Sequence, residues 1–203
     1  MSPATRKLGL YIALGLLAAL LGAWLAGRMQ RLPVLQAGTW LPQPRTIPAF
    51  SLLNQSAALA DSSVWSAAPS LVFFGFSNCP DVCPNTLALL KNLRARTLMN
   101  PLQVIMISID PDRDSPQQLK RYLQGFDPAF IGLTGSPDQL KTLQSAFSVA
   151  VSRLNLPGGD YALDHSSAVY LVDRQGRIAA VFTAPLQLDA LRADLDQLRQ
   201  RIG

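Results

Sequence analysis

The only cysteines in the 203 residues, Cys79 and Cys83, are separated by three residues, and His165 is the only histidine. A bond between such close cysteines would constrain the unfolded chain little, so the pair reads as chemical rather than structural. The run Cys79-Pro80-Asp81-Val82-Cys83-Pro84 follows a short apolar stretch, Leu71–Phe76, and directly precedes a helix-like one, Asn85–Leu98. At a strand-to-helix junction the unpaired N–H groups and the helix dipole favour negative charge, so both thiols are expected to be activated. If residues 79–83 form the first helical turn, the i, i+4 spacing puts both sulfurs on one face, where they can share an ion. Pro80 and Pro84 are tolerated there because first-turn N–H groups lack helical partners. The competing reading is two small buried hydrophobes. A lone histidine is ordinarily a surface or hydrogen-bonded loop residue, but His165 lies in a predicted loop just before the predicted strand Ala168–Asp173. Where that strand runs beside the cysteine-bearing one, the loop brings an imidazole to the sulfurs. Two thiolates and one imidazole form a soft set suited to copper, with Cu(I) satisfied at low coordination and Cu(II) adding an oxygen ligand. A closed zinc site wants a fourth ligand, and no further cysteine or histidine exists to supply it.

The elements that must position these residues alternate along the chain. Leu71–Phe76 and Val104–Ile109 read as short strands around the helix Asn85–Leu98, a βαβ unit. A strand apolar throughout is buried on both faces, as in a parallel sheet covered by helices. Further helices are predicted at Gln117–Gly125, after Ser115-Pro116, and at Pro137–Phe147, after Ser136. Ala168–Asp173 and Ile178–Phe182 flank a glycine-containing turn and read as a hairpin, and Leu188–Ile202 closes the chain as an amphipathic helix with Asp194 and Arg199 among its charged positions. This order fits an α/β, thioredoxin-like fold, although periodicity leaves other α/β layouts open.

Before this domain, residues 1–7 form a short tail and Leu8–Gly27 are 20 residues without a charge, the length that crosses about 30 Å of hydrocarbon as a helix. A cleaved signal peptide has a shorter apolar run and a small-x-small site, which Ala23-Trp24-Leu25 fits poorly, so one N-terminal transmembrane helix is expected. Residues 28–49, with Pro33, Pro42, Pro44 and Pro48, read as an extended stalk, leaving residues 50–203 as the domain. The net charge of +5 sits mostly at the N-terminus, where Arg6, Lys7, Arg28 and Arg31 meet no acidic residue. The nearly neutral remainder carries no basic stripe with interleaved aromatics, which argues against nucleic acid as a partner. The positive-inside bias favours a cytoplasmic N-terminus by a small margin. With no long Arg- and Ser-rich presequence, the expectation is a single-pass protein of a bacterial inner membrane whose domain faces the periplasm. In that oxidising compartment a dithiol can cycle or must be kept reduced by a partner.

The residues resemble the SCO/SenC family of membrane-anchored copper-binding proteins of cytochrome c oxidase assembly, from about Phe50 to the C-terminus. The resemblance is carried by Phe74-Gly75-Phe76-Ser77-Asn78-Cys79-Pro80-Asp81-Val82-Cys83-Pro84, by Ser108-Ile109-Asp110-Pro111-Asp112-Arg113-Asp114-Ser115-Pro116, by Ile131-Gly132-Leu133-Thr134-Gly135 and by Asp164-His165-Ser166. It implies that Cys79, Cys83 and His165 bind one copper ion, as Cu(I), Cu(II) or both. It further implies that the protein acts as a metallochaperone, assisting assembly of the dinuclear copper centre in the copper domain of oxidase subunit II. A periplasmic copper donor or thiol reductant would be a further partner. Asp110 and Asp164 match acidic positions near the family's site, where hydrogen bonding to a ligand is the expected role, while Asp81 is expected to serve the helix N-terminus. A conventional enzyme is not expected. The same pair on the same fold also admits a thiol-disulfide oxidoreductase that reduces the cysteines of the oxidase copper site, although three intervening residues depart from the common redox spacing of two. A peroxidase on a related scaffold ranks below both, because the first cysteine sits in a proline-flanked pair.

Overall fold

The computed structural model describes residues 3–28 and 33–202, and the chain divides into two units, residues 1–32 and 33–203. The first unit is the helix α1 (Pro3–Arg28). Its described side chains from Tyr11 to Trp24 are apolar or small and exposed. Among the described residues no helix is long and apolar enough to cross a membrane.

The second unit is built on an eight-stranded sheet. Its strands are β1 (Gly38–Thr46), β2 (Ser51–Asn54), β3 (Leu59–Asp61), β4 (Ser70–Gly75), β5 (Gln103–Ser108), β6 (Ile131–Thr134), β9 (Val169–Val172) and β10 (Arg177–Phe182), in the spatial order β1-β10-β9-β4-β5-β6-β2-β3. β4 and β5 pair in parallel, as do β5 and β6, whereas β9 runs antiparallel to β4. Between β6 and β9 the chain leaves the sheet to form a separate two-stranded ribbon, β7 (Val151–Asn155) and β8 (Tyr161–His165). The helices are α2 (Val82–Arg96), α3 (Pro116–Gln124), α4 (Pro137–Phe147) and α5 (Leu188–Leu198).

Every residue of β4 is buried, as its unbroken apolar run requires. Leu71 and Phe73 join a core with Leu87, Leu90 and Leu93 of α2 and Leu191 and Leu195 of α5. Val72 and Phe74 point the other way, to Leu140, Leu143 and Phe147 of α4 and to Trp65. The expected βαβ unit, the closing amphipathic helix and the β9–β10 hairpin are all present. Ser115 caps α3 by accepting the N–H of Gln118 at 3.2 Å, and Pro116 opens the helix where its missing N–H costs nothing.

The expected stalk differs over nine of its residues. Residues 38–46 are the edge strand β1, paired antiparallel with β10. The ladder shifts register between Trp40 and Arg45, the interval that holds Pro42 and Pro44. An edge strand tolerates prolines because half of its backbone groups need no partner in the sheet. Just before it, the buried Asp194 of α5 accepts the N–H groups of Gln36 and Ala37, both at 2.7 Å. The domain therefore begins well before residue 50. The first stalk positions, 29–32, lie outside the described residues.

Candidate metal centre

The cysteine segment lies beyond the C-terminal end of β4, where a parallel sheet delivers chain to its helix. Cys79 follows a turn, its N–H donating to the Phe76 carbonyl at 3.3 Å, and α2 begins only at Val82. The two cysteines therefore do not share a first helical turn. Cys83 lies in that turn, while Cys79 precedes the helix because Pro80 and the non-helical backbone of Asp81 delay its start. Asp81 stands at the N-cap position, but its side chain caps no N–H; it accepts the Asn85 amide at 2.6 Å instead.

The environments of the two sulfurs differ. Cys83 is buried, and Cys79 is partly exposed. The Cys83 N–H donates to the Cys79 sulfur at 3.4 Å, so the helix N-terminus serves Cys79 from one turn away. Burial pushes the Cys83 thiol well above its ordinary value, and hydrogen bonding with the Phe76 backbone only partly opposes that. The expectation that both thiols are activated is corrected for Cys83. Its sulfur is packed against Val72-side core residues rather than solvated, and desolvation of the thiolate is the largest influence on it.

His165 is not in a loop but is the last residue of β8. Its Nδ1 lies 2.9 Å from the Ser166 carbonyl, and a carbonyl only accepts, so Nδ1 carries a proton. In the neutral ring this leaves the Nε2 lone pair free, and Nε2 lies 3.8 Å from the Cys83 sulfur. Phe76 holds the ring edge-on, with centroids 6.0 Å apart. The two groups meet in a narrow recess lined by Phe74, Val82, Cys83, Thr86, His165 and Ala168.

The 3.8 Å separation matches the spacing of two donors on one ion: with zinc-type bonds of about 2.3 Å to sulfur and about 2.0 Å to nitrogen, an angle of about 120° puts the two donors roughly 3.7 Å apart. Cys79 is adjacent without converging, since its sulfur is engaged by the Cys83 N–H. Among the described residues no group of three or more histidine, cysteine, aspartate or glutamate side chains closes to metal-binding distance. Cys79 is partly exposed, and among the described residues its sulfur accepts only the Cys83 N–H.

The two acidic residues expected to support a ligand make no hydrogen bond to Cys79, Cys83 or His165 among the described residues. Asp110 is 2% exposed and accepts the Tyr161 hydroxyl at 2.6 Å and the Arg113 guanidinium. Asp164 is exposed, alternates with His165 along β8 and stands opposite Ser152. The carboxylate that supports the cysteine segment is Asp114, which the sequence reading did not single out. It is fully buried, accepts the Ser77 hydroxyl at 2.6 Å and the Ser108 hydroxyl at 2.7 Å, and accepts the Ser77 N–H at 3.1 Å. Burial pushes its carboxyl upward, and the hydrogen bonds from Ser77 and Ser108 pull against that. Its spacing of four from Asp110 was the available signal, since a charged residue repeated in a loop between strand and helix has backbone to satisfy.

Comparison with known proteins identifies the family and the fold. The SCO1/SenC family model matches residues 40–200. An SCO2-like protein of Rickettsia prowazekii is 39% identical over 132 residues, covering 63% of this chain and 64% of its own length, just under two thirds. The structure of Bradyrhizobium japonicum ScoI with copper bound superposes with a TM-score of 0.68 at 30% identity, covering 78% of this chain and 99% of that one. Apo Sco1 of Thermus thermophilus superposes with a TM-score of 0.71 at 33% identity, covering 80% and 96%. The fold around the cysteine pair is thus the thioredoxin-like fold of those proteins.

Proposed function

Since the chain belongs to the SCO1/SenC family, we propose that its domain binds one copper ion through Cys79, Cys83 and His165 and passes it to an acceptor. The observation that carries this reading is the meeting of the Cys83 sulfur with the free Nε2 of His165 at 3.8 Å, beside a second sulfur. The chain's own residues divide the work. Cys79, partly exposed, is the sulfur an incoming or departing ion meets first. Cys83 holds its proton until the ion replaces it, because its burial makes an unpaired thiolate costly. His165 presents Nε2 because Ser166 fixes the proton on Nδ1. Soft sulfur donors select copper in its reduced form, and the imidazole and an added oxygen accommodate the oxidised form.

The acceptor in this proposal is the dinuclear copper centre of cytochrome c oxidase subunit II, as the family resemblance implies. The 20-residue uncharged segment Leu8–Gly27 supports a single membrane anchor with the domain in the periplasm of a bacterial cell. The anchor would restrict the search for a membrane-bound acceptor to two dimensions.

The asymmetry of the thiols supports a second use. In thiol-disulfide exchange the partly exposed Cys79 sulfur attacks one sulfur of a partner disulfide and releases the other. The Cys83 sulfur then attacks Cys79 in the mixed disulfide, leaving a Cys79–Cys83 bond here and two thiols on the partner, with two electrons and two protons transferred. Following copper and thiol oxidation state together, while the reduced, copper-loaded chain meets the apo acceptor domain, separates the two. Delivery predicts one copper gained per acceptor site with both donor thiols still reduced. Copper that stays on the donor while acceptor thiols appear would reject delivery in favour of reduction.

A further inference from the structure

The ribbon that carries His165 contributes no strand to the main sheet, and most of β7 is exposed. A two-stranded ribbon has little stability of its own, so its attachments set where the imidazole lies. Along β8, residues Tyr161, Leu163 and His165 share one face, because strand side chains alternate. Leu163 packs against the core on the His165 side of the sheet. Four residues from His165, about 13 Å along the strand, the Tyr161 hydroxyl donates to the buried Asp110 at 2.6 Å.

Arg113 reinforces this contact. It pairs with the second oxygen of Asp110, donates to the Tyr161 carbonyl at 3.1 Å and sets its guanidinium 3.8 Å from the centre of the Tyr161 ring. Arg153 of β7 lies 3.5 Å from the same ring. Four residues after Asp110, Asp114 accepts the N–H and hydroxyl of Ser77, which stands two residues before Cys79. One segment after β5, residues 110–114, therefore grips the cysteine turn at one end and the histidine ribbon at the other.

We infer that Asp110 and Tyr161 are positioning residues for His165: their contact fixes the ribbon so that Nε2 stands within reach of the Cys83 sulfur. The inference rests on the proposed ligand role of His165. With the clasp closed, the imidazole is held at the sulfurs before the ion arrives. With it open, the ribbon swings on Leu163 and the site keeps only its two sulfurs, a weaker holder from which an acceptor can take the ion.

The test uses the full chain in detergent, reduced, with Cu(I) affinity read by competition against a chromophoric chelator for Tyr161→Phe, Asp110→Asn, His165→Ala and each of the first two combined with the third. Tyr161→Phe keeps the ring against both arginines and removes only the hydroxyl. It is expected to weaken Cu(I) binding about tenfold, the scale of one hydrogen bond to a charged group, and Asp110→Asn to weaken it comparably. Neither should have a further effect once His165 is alanine. Amide exchange over residues 151–165 of the copper-free chain should quicken in both single variants. Equal losses with and without His165 would mark the contact as merely structural and overturn the inference, as would no loss in the presence of His165. An unchanged affinity in His165→Ala would overturn the ligand assignment itself, and the inference with it, which sets that failure apart from the other two.

Discussion

Gly75 ends β4 directly beneath the cysteine segment, and a methyl group placed there would lie 2.9 Å from the Cys83 sulfur and 3.0 Å from Cε2 of Phe73. Comfortable separations between such atoms are about 3.5–4.0 Å, so Gly75→Ala must displace the sulfur, the ring or both by roughly 0.5–1 Å. Neither can move out into solvent: Phe73 is 3% exposed and Cys83 1% exposed. Overpacking of this kind costs about 1–3 kcal/mol. A site tolerates ligand displacement only to about 0.5 Å, so copper affinity should fall tenfold or more while the domain remains folded. Denaturant unfolding of the full chain in detergent measures the first quantity and Cu(I) competition the second. A variant destabilised within that range yet binding Cu(I) as tightly as the parent would show that the Phe73 ring alone yields, and would refute the predicted displacement of the Cys83 sulfur. A variant with neither effect would refute the packing described for β4 and α2.

Asp194→Ala strips the acceptor from the N–H groups of Gln36 and Ala37 and should destabilise the domain by about 2–5 kcal/mol; a loss under about 1 kcal/mol would show that water replaces the carboxylate. Phe147, fully buried with its ring 5.2 Å from Phe74 and 5.0 Å from Tyr170, should cost about 3–5 kcal/mol as Phe147→Ala, read by the same unfolding curve. Burial holds the Asp114 carboxyl above the ordinary carboxylate range, so the fold favours its neutral form. Its contribution to stability is complete below the unfolded-chain value of about 4 and is lost as pH rises through the folded value. The stability of the parent relative to Asp114→Asn should therefore decline with rising pH across that window; a difference independent of pH would contradict the burial argument.

The central elements were legible because each carries one unconflicted signal. Leu71–Phe76 is apolar without a break, as a strand covered on both faces must be, and Ser115-Pro116 and Ser136-Pro137 punctuate the helix starts. The edge of the domain was not legible, since Pro42 and Pro44 normally argue against a strand and only pairing with β10 beside a register shift accommodates them. Asp194 read as a solvated charge in an amphipathic helix, yet it is 1% exposed, because the backbone N–H groups it satisfies come from residues 157 and 158 positions away. The site divides in the same manner. The cysteine pair and its junction follow from local sequence. The approach of His165 depends on a ribbon whose two attachments, Tyr161 to Asp110 and Leu163 to the core, are long-range contacts without a periodic signature. Asp110 was expected at a ligand and instead accepts the hydroxyl of Tyr161, on the strand that ends at His165.

The most direct test of a single copper site built from these three residues is Cu(I) titration of the reduced full chain, with X-ray absorption of the loaded protein, for the parent and for Cys79→Ser, Cys83→Ser and His165→Ala. The account predicts one equivalent per chain with two sulfurs and one nitrogen around the ion. Each cysteine substitution should remove one sulfur, and His165→Ala the nitrogen. Any one of the three variants that binds one equivalent with the parent's surroundings and affinity would contradict it.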